Sequence, residues 1–326
     1  MHTLKVRDSA RLIGTIRYGD HVYVAQGTVL RSEGNALGIG NDTWILENSV
    51  VVGWPEQPTE IGSKTVFGHK CLVMGAQIGN LCEIGNGTLF LPGSRLGNRC
   101  ITGEGTLIPA GTVIPDESVV VGRPGRVIRK LTEEDRAMIK RMRGGNTDLR
   151  PVSITETDFG SGEGEKMGKT YAFAGKTPRI DDTASIYDTA EITGDVIIGK
   201  NTLVASGVRI IGDSHGPVRI GNNVQILENT VLHLLPDNEL VIDDDVVIGP
   251  GCMIHGTTIG ACSVIESGAI VCDYSQLGKN TLVRSGSLVK QRSVFGEGCI
   301  LEGFPAQSVG SNEGTLEKPP WARNRR

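Results

Sequence analysis

Apolar residues return at every sixth position over most of this chain. From Ile39 the units read IGNDTW and then ILENSV, followed by IGSKTV from Ile61, IGNLCE from Ile78 and IGNGTL from Ile84. The second half repeats the pattern as IGKNTL from Ile198, IGNNVQ from Ile220, ILENTV from Ile226, IGACSV from Ile259, IESGAI from Ile265 and LGKNTL from Leu277. Each unit opens on an aliphatic residue. A small residue, often Gly, follows it, and a small or β-branched residue takes the fifth place. Self-similarity at a fixed short period marks a solenoid. Each unit predicts a short strand and a tight corner, and three units make one triangular coil. Coils stack by parallel pairing, with the first-position aliphatics pointing inward. Asn and Gly are expected at the corners because they tolerate left-handed backbone angles. The pattern covers most of residues 10–125 and 180–305.

A longer repeat lies over the short one. IGNDTWILENSVV (39–51) maps without a gap onto IGNNVQILENTVL (220–232), a constant offset of 181 residues. The chain therefore reads as a tandem duplication: a first β-helix with a C-terminal helix over 1–150, a flexible linker over 151–179, a second β-helix over 180–310 and a tail over 311–326. The helix is expected within LTEEDRAMIKRMRGG (131–145). Thr132 is its N-cap, acidic residues fill its first turn, Lys140, Arg141 and Arg143 its last, and Gly144 its stop. The linker reading rests on the Gly-, Ser- and Glu-rich GSGEGEKMGK. No helix follows the second copy, and its polar end, EKPPWARNRR, is expected to be loosely held.

Composition narrows the function. Net charge is −4 and aromatics are 4% of 326 residues, so neither a basic surplus nor a stacking platform points to nucleic acid. The seven cysteines stand singly in apolar strings without a CxxC pair, which predicts reduced, buried thiols in a cytoplasmic protein. The N-terminus has no apolar signal core, and no apolar run is long enough to span a membrane.

The candidate chemistry lies in two nearly matching stretches, VFGHKCLVMG (66–75) and VIGPGCMIHG (247–256). His69 faces Pro250 in the alignment, and His255 faces Met74. Upstream, the strand ending VVV at Val52 aligns with VLH ending at His233. Two further segments accompany these: Arg31-Ser32-Glu33 with Ile211-Gly212-Asp213, and the paired ILEN units. Together they resemble the gamma-class carbonic anhydrases within the hexapeptide-repeat superfamily of left-handed parallel β-helices. The resemblance implies an all-β fold of two tandem left-handed β-helices and three metal-ligand positions per copy. These are Val52, His69 and Met74 in the first copy, and His233, Pro250 and His255 in the second.

In that family a metal lies between neighbouring β-helices of a trimer, one giving the first and third histidines and the other the second. That arrangement implies one complete set here: His233 and His255 from a second copy with His69 from a first. The reverse pairing supplies no ligand. Three imidazoles and an open position suit zinc, with cobalt or iron as alternatives. The resemblance also implies an Arg31–Asp213 bridge across the interface, and places Glu47 and Glu228 where they could orient an imidazole or a water. The family's catalytic Gln is Leu46 in one copy and Leu227 in the other, so metal binding is implied but fast CO2 hydration is not.

The expected function is thus a zinc-dependent lyase or hydrolase acting on a small molecule, in a homo-oligomer or in a pseudo-trimer with another β-helix subunit. The exit segments GRPGR and GFPAQ also suit a CoA-dependent acyltransferase. A non-catalytic assembly subunit is the third reading. Loops 53–60 and 234–240 differ strongly, as they would if one of them borders a working pocket.

Overall fold

The computed structural model describes residues 3–161, 168–213 and 216–323. The chain forms two compact bodies, Met1–Gly162 and Glu163–Arg326. Each is a left-handed parallel β-helix with three sheets. The inward aliphatics stack in register from coil to coil. One column in the first body runs Ile39, Ile61, Ile78, Leu96, Ile114. A column in the second runs Ile220, Ile242, Ile259, Leu277, Phe295. Buried side chains of this size contribute about 1.5–3 kcal/mol each, so the columns are the main source of cohesion.

The six-residue code has a more specific cause than corner geometry alone. In the Ile-Gly pairs the glycine is needed because the next coil passes directly over it. A Cβ on Gly62 would lie 2.6 Å from the carbonyl carbon of Gly79, and one on Gly79 the same distance from that of Gly97. The left-handed residue comes two places later, at Asp42, Lys64 and Leu81 (φ 55°, 55° and 60°). The small fifth residue is buried and donates to a neighbouring carbonyl. Thr43 reaches the Gly62 oxygen and Thr65 the Gly79 oxygen, both at 2.8 Å. Cys82 does the same to Gly97 at 3.1 Å and Cys100 to Pro115 at 3.3 Å. Thr and Cys interchange there because each brings one short donor. All seven cysteines are free thiols. Cys71, Cys82, Cys100 and Cys252 are buried, while Cys262, Cys272 and Cys299 are partly accessible. Burial pushes the Cys71 and Cys252 thiols up to about 12.

Helix α1 (Glu133–Met142) forms as its caps predict. The Asp135 amide donates to the Thr132 hydroxyl at 3.2 Å, and the Thr132 amide returns a bond to the Asp135 carboxylate at 2.8 Å. Its buried Ile139 packs with Leu81, Val119 and Leu131.

Two expectations change. The 151–179 stretch is not a plain connector. Thr155–Asp158 pairs antiparallel with Thr15–Tyr18, and Lys169–Tyr171 pairs parallel with Glu191–Gly194. Each completes an otherwise bare sheet edge. The middle of GSGEGEKMGK, 162–167, lies outside the described residues.

Part of the tail is not loosely held either: Trp321, Ala322 and Arg323 are buried, while 324–326 lie outside the described residues. The Gln225 carboxamide donates to the Arg323 carbonyl and accepts from the Arg323 amide, both at 2.9 Å, as a strand neighbour would. The Arg323 guanidinium donates to the Tyr187 hydroxyl at 2.7 Å and lies 3.9 Å from the fully buried Glu228. Polar composition suggested solvent, but these side chains supply partners that composition does not reveal. No helix among the described residues is long and apolar enough to cross a membrane.

Candidate metal centre

Strand alternation sets the candidate ligands in the second body. Leu232 and Ile254 point into the core and are fully buried, so the next residues, His233 and His255, point out. They are direct register partners on adjacent parallel strands, Val231–His233 and Met253–His255. Their rings lie 5.5 Å apart at 87°. Both stay accessible, with side-chain exposures of 30% and 28%. Each imidazole faces a carboxylate. His233 Nε2 is 3.4 Å from Asp213 Oδ2, and His255 Nδ1 is 3.2 Å from Asp273 Oδ2.

His69 lies in the first body, at the corner after the strand Val66–Phe67. Its side chain is 53% exposed, and its Nδ1 lies 2.8 Å from Glu47 Oε2. The Asn86 carboxamide oxygen accepts from its amide at 2.6 Å. Glu47 thus lies beside a histidine. Near Glu228, Pro250 stands at the equivalent of His69, and the tail's Arg323 approaches the Glu228 carboxylate. Arg31 is buried and donates to Glu33 at 2.7 Å within its own body. Asp213 has His233 beside it within the second.

The positions that lack histidine have a different character. Val52 and Met74 are buried, as is Pro250. Leu227, at a position of the family's Gln, is fully buried, and Leu46 is partly so.

Asp273 was not singled out from the sequence. The available signal was coil spacing. Asp273 sits one coil beyond His255, and its equivalent in the first copy is Pro92, one coil beyond Met74. At these two positions carboxylate and histidine therefore occur together in the second copy and are both replaced in the first, by Pro92 and Met74.

Among the described residues, no three His, Cys, Asp or Glu side chains converge on one point fit for a metal ion. The second body presents two adjacent imidazoles with carboxylate partners, and the first presents one. As donors, neutral imidazoles backed by carboxylates match what zinc takes, and an accessible setting leaves room for a further ligand.

No family profile matches the chain. Individual proteins do. A carbonic anhydrase of Geobacillus kaustophilus is 38% identical over 109 residues, which cover 33% of this chain and 59% of that protein. The mitochondrial gamma carbonic anhydrase 2 of Arabidopsis thaliana is 30% identical over 138 residues, 40% of this chain and 49% of that one. The chain thus spans less than two thirds of either relative. Among solved structures, a hexapeptide transferase family protein from Anaplasma phagocytophilum is 31% identical, covering 44% of this chain and 84% of that one, with a TM-score of 0.42. The stacked hexapeptide coils, in two sheet sets, give the chain the hexapeptide-repeat β-helix fold, and over the matched stretches it is similar to gamma carbonic anhydrases.

Proposed function

We propose that this protein is a zinc-dependent lyase or hydrolase whose one metal site combines His233 and His255 of a second copy with His69 of a first. One observation carries the reading. All three histidines are accessible and each faces a carboxylate, whereas the three aligned positions without histidine, Val52, Met74 and Pro250, are all buried. Selection for a structural role alone gives no reason for that split.

In this reading Asp213, Asp273 and Glu47 hold the three rings, each engaging one nitrogen and leaving the other for the metal. Zinc bound by three imidazoles with an open position supplies Lewis acidity and activates water at neutral pH. Leu46 and Leu227 cannot donate or accept a hydrogen bond, so the site lacks the side chain with which the family holds that water. The reading therefore favours hydrolysis of an activated acyl group, or addition and elimination of water on a substrate larger than CO2. Free thiols throughout support a reducing, cytoplasmic setting.

The rival reading, a CoA-dependent acyltransferase, is favoured by the hexapeptide transferase relative. It needs one basic histidine rather than three. Elemental analysis of protein from zinc-supplemented cells separates the two. The proposal expects about one metal per chain, lost in each of His69→Ala, His233→Ala and His255→Ala. A folded, metal-free native protein would overturn it and turn attention to acyl-CoA binding and to the assembly-subunit reading.

A further inference from the structure

We propose that Asp273 is a positioning residue with two tasks: it fixes His255 as the Nδ1–H tautomer, and it ties that ring to the 234–240 loop. Its use to a metal rests on the reading above, but the tautomer and the tether do not.

Asp273 is nearly buried, with a side-chain exposure of 10%. Its two oxygens do different work. Oδ2 faces His255 Nδ1 at 3.2 Å. Oδ1 accepts from the Leu235 amide at 3.1 Å and from the Asn238 carboxamide at 3.3 Å. Asn238 donates again to the Gly256 carbonyl at 2.7 Å, and the Tyr274 hydroxyl reaches the Pro236 carbonyl at 3.1 Å. The loop is thus pinned to the coil on both sides of the carboxylate. Gly256, just after the histidine, is what lets the loop come this close. A Cβ there would lie 2.1 Å from the Asn238 side-chain carboxamide nitrogen and 3.1 Å from Asp273 Oδ1.

The chemistry follows from the donor inventory. An ionised carboxylate only accepts, so a neutral His255 must place its proton on Nδ1 and keep the Nε2 lone pair for another partner. A free imidazole prefers the opposite tautomer, so the carboxylate changes the outcome rather than following it. A ring fixed this way meets a metal without first rearranging, and loss of such a partner typically costs 10–100-fold in metal affinity. The first copy agrees: with Met74 in place of the histidine, the carboxylate position is Pro92.

Asp273→Asn tests this with little change in shape. The loop offers two donors to Oδ1, so the carboxamide keeps its oxygen there and turns its NH2 toward His255. Nδ1 must then accept, and the ring becomes Nε2–H. Long-range 1H–15N spectra of the metal-free, full-length protein at alkaline pH read the tautomer directly. The expected result is Nδ1–H in the native protein and Nε2–H in the variant, with faster exchange of the Leu235 amide. Chelator competition should then show zinc held about 10–100-fold more weakly. An Nε2–H ring in the native protein, or an unchanged tautomer in a folded Asp273→Asn, overturns the proposal. An Nδ1–H ring that responds as expected in a protein that takes no zinc upholds the Asp273 assignment and overturns the metal reading instead.

Discussion

Replacing Arg143 by Ala should show how the first β-helix keeps its helix. Arg143 is the C-cap of α1. Its guanidinium donates to the Lys64 carbonyl at 2.7 Å, to the Cys82 carbonyl at 3.2 Å, and to the Glu83 carboxylate. The ion pair is well shielded, with side-chain exposures of 6% and 13%. Breaking a buried pair by removing one partner costs about 3–5 kcal/mol, because the remaining charge stays buried. The loss has a ceiling, since α1 can lift off and let water reach Glu83. Lifting off exposes Ile139 and part of Leu131, each contributing about 1.5–3 kcal/mol, so the ceiling falls in the same range. For a body of this size about 3–5 kcal/mol lowers the melting temperature by roughly 6–20 °C.

Calorimetry of the full chain, following the transition of the first body, is the assay. Burial raises the Glu83 carboxyl above its ordinary value, and Arg143 opposes the rise. With a raised folded-state value, the folded protein binds more protons than the unfolded one above the ordinary carboxylate range, so this group's contribution falls as pH rises through that window. Without Arg143 the rise is larger. The deficit of Arg143→Ala should therefore be greatest near neutral pH and shrink toward pH 4–5. Arg143→Met with Glu83→Met should recover most of the loss. A deficit below about 1 kcal/mol, or a double variant no better than the single one, would refute the account. Among the described residues the second body has no such helix, and at the equivalent of Glu83 stands Val264, which offers no carboxylate to an arginine.

Trp321→Ala should release the tail from the second body at a cost of about 3–5 kcal/mol at most, read as earlier proteolysis at 311–323 and faster hydrogen exchange there; protection unchanged from the native protein would show that Trp321 is not the anchor. Two glycines separate crowding from backbone angle. Gly79→Ala must push a neighbouring coil aside and should cost about 2–3 kcal/mol or more, whereas Gly111→Ala, with nothing within 4 Å but a φ of +67°, should cost only about 1–2 kcal/mol. Equal losses in urea unfolding would contradict the coil-contact explanation of the Ile-Gly repeat.

The sequence by itself determined the stacked coils, the duplication and the capped helix. These are local and periodic: each hexapeptide repeats one solution to burial and cornering, and Thr132 and Asp135 act within a single turn. It also located the three histidines, because the offset between copies aligns them against Val52, Met74 and Pro250. The partners were decided only in three dimensions. His255 meets Asp273 because one coil returns the chain to the same face, a separation that the six-residue pattern hides. The tail docks because Gln225, Tyr187 and Glu228, far away along the chain, gather where Arg323 can bond to them. Arg143 reads as a favourable charge at a helix end, but its hold on the fold comes from Glu83, which only the stacking of coils brings beneath it. Periodicity records what each residue does for its neighbours in the repeat, whereas long-range polar pairing depends on which coils and segments come to lie side by side.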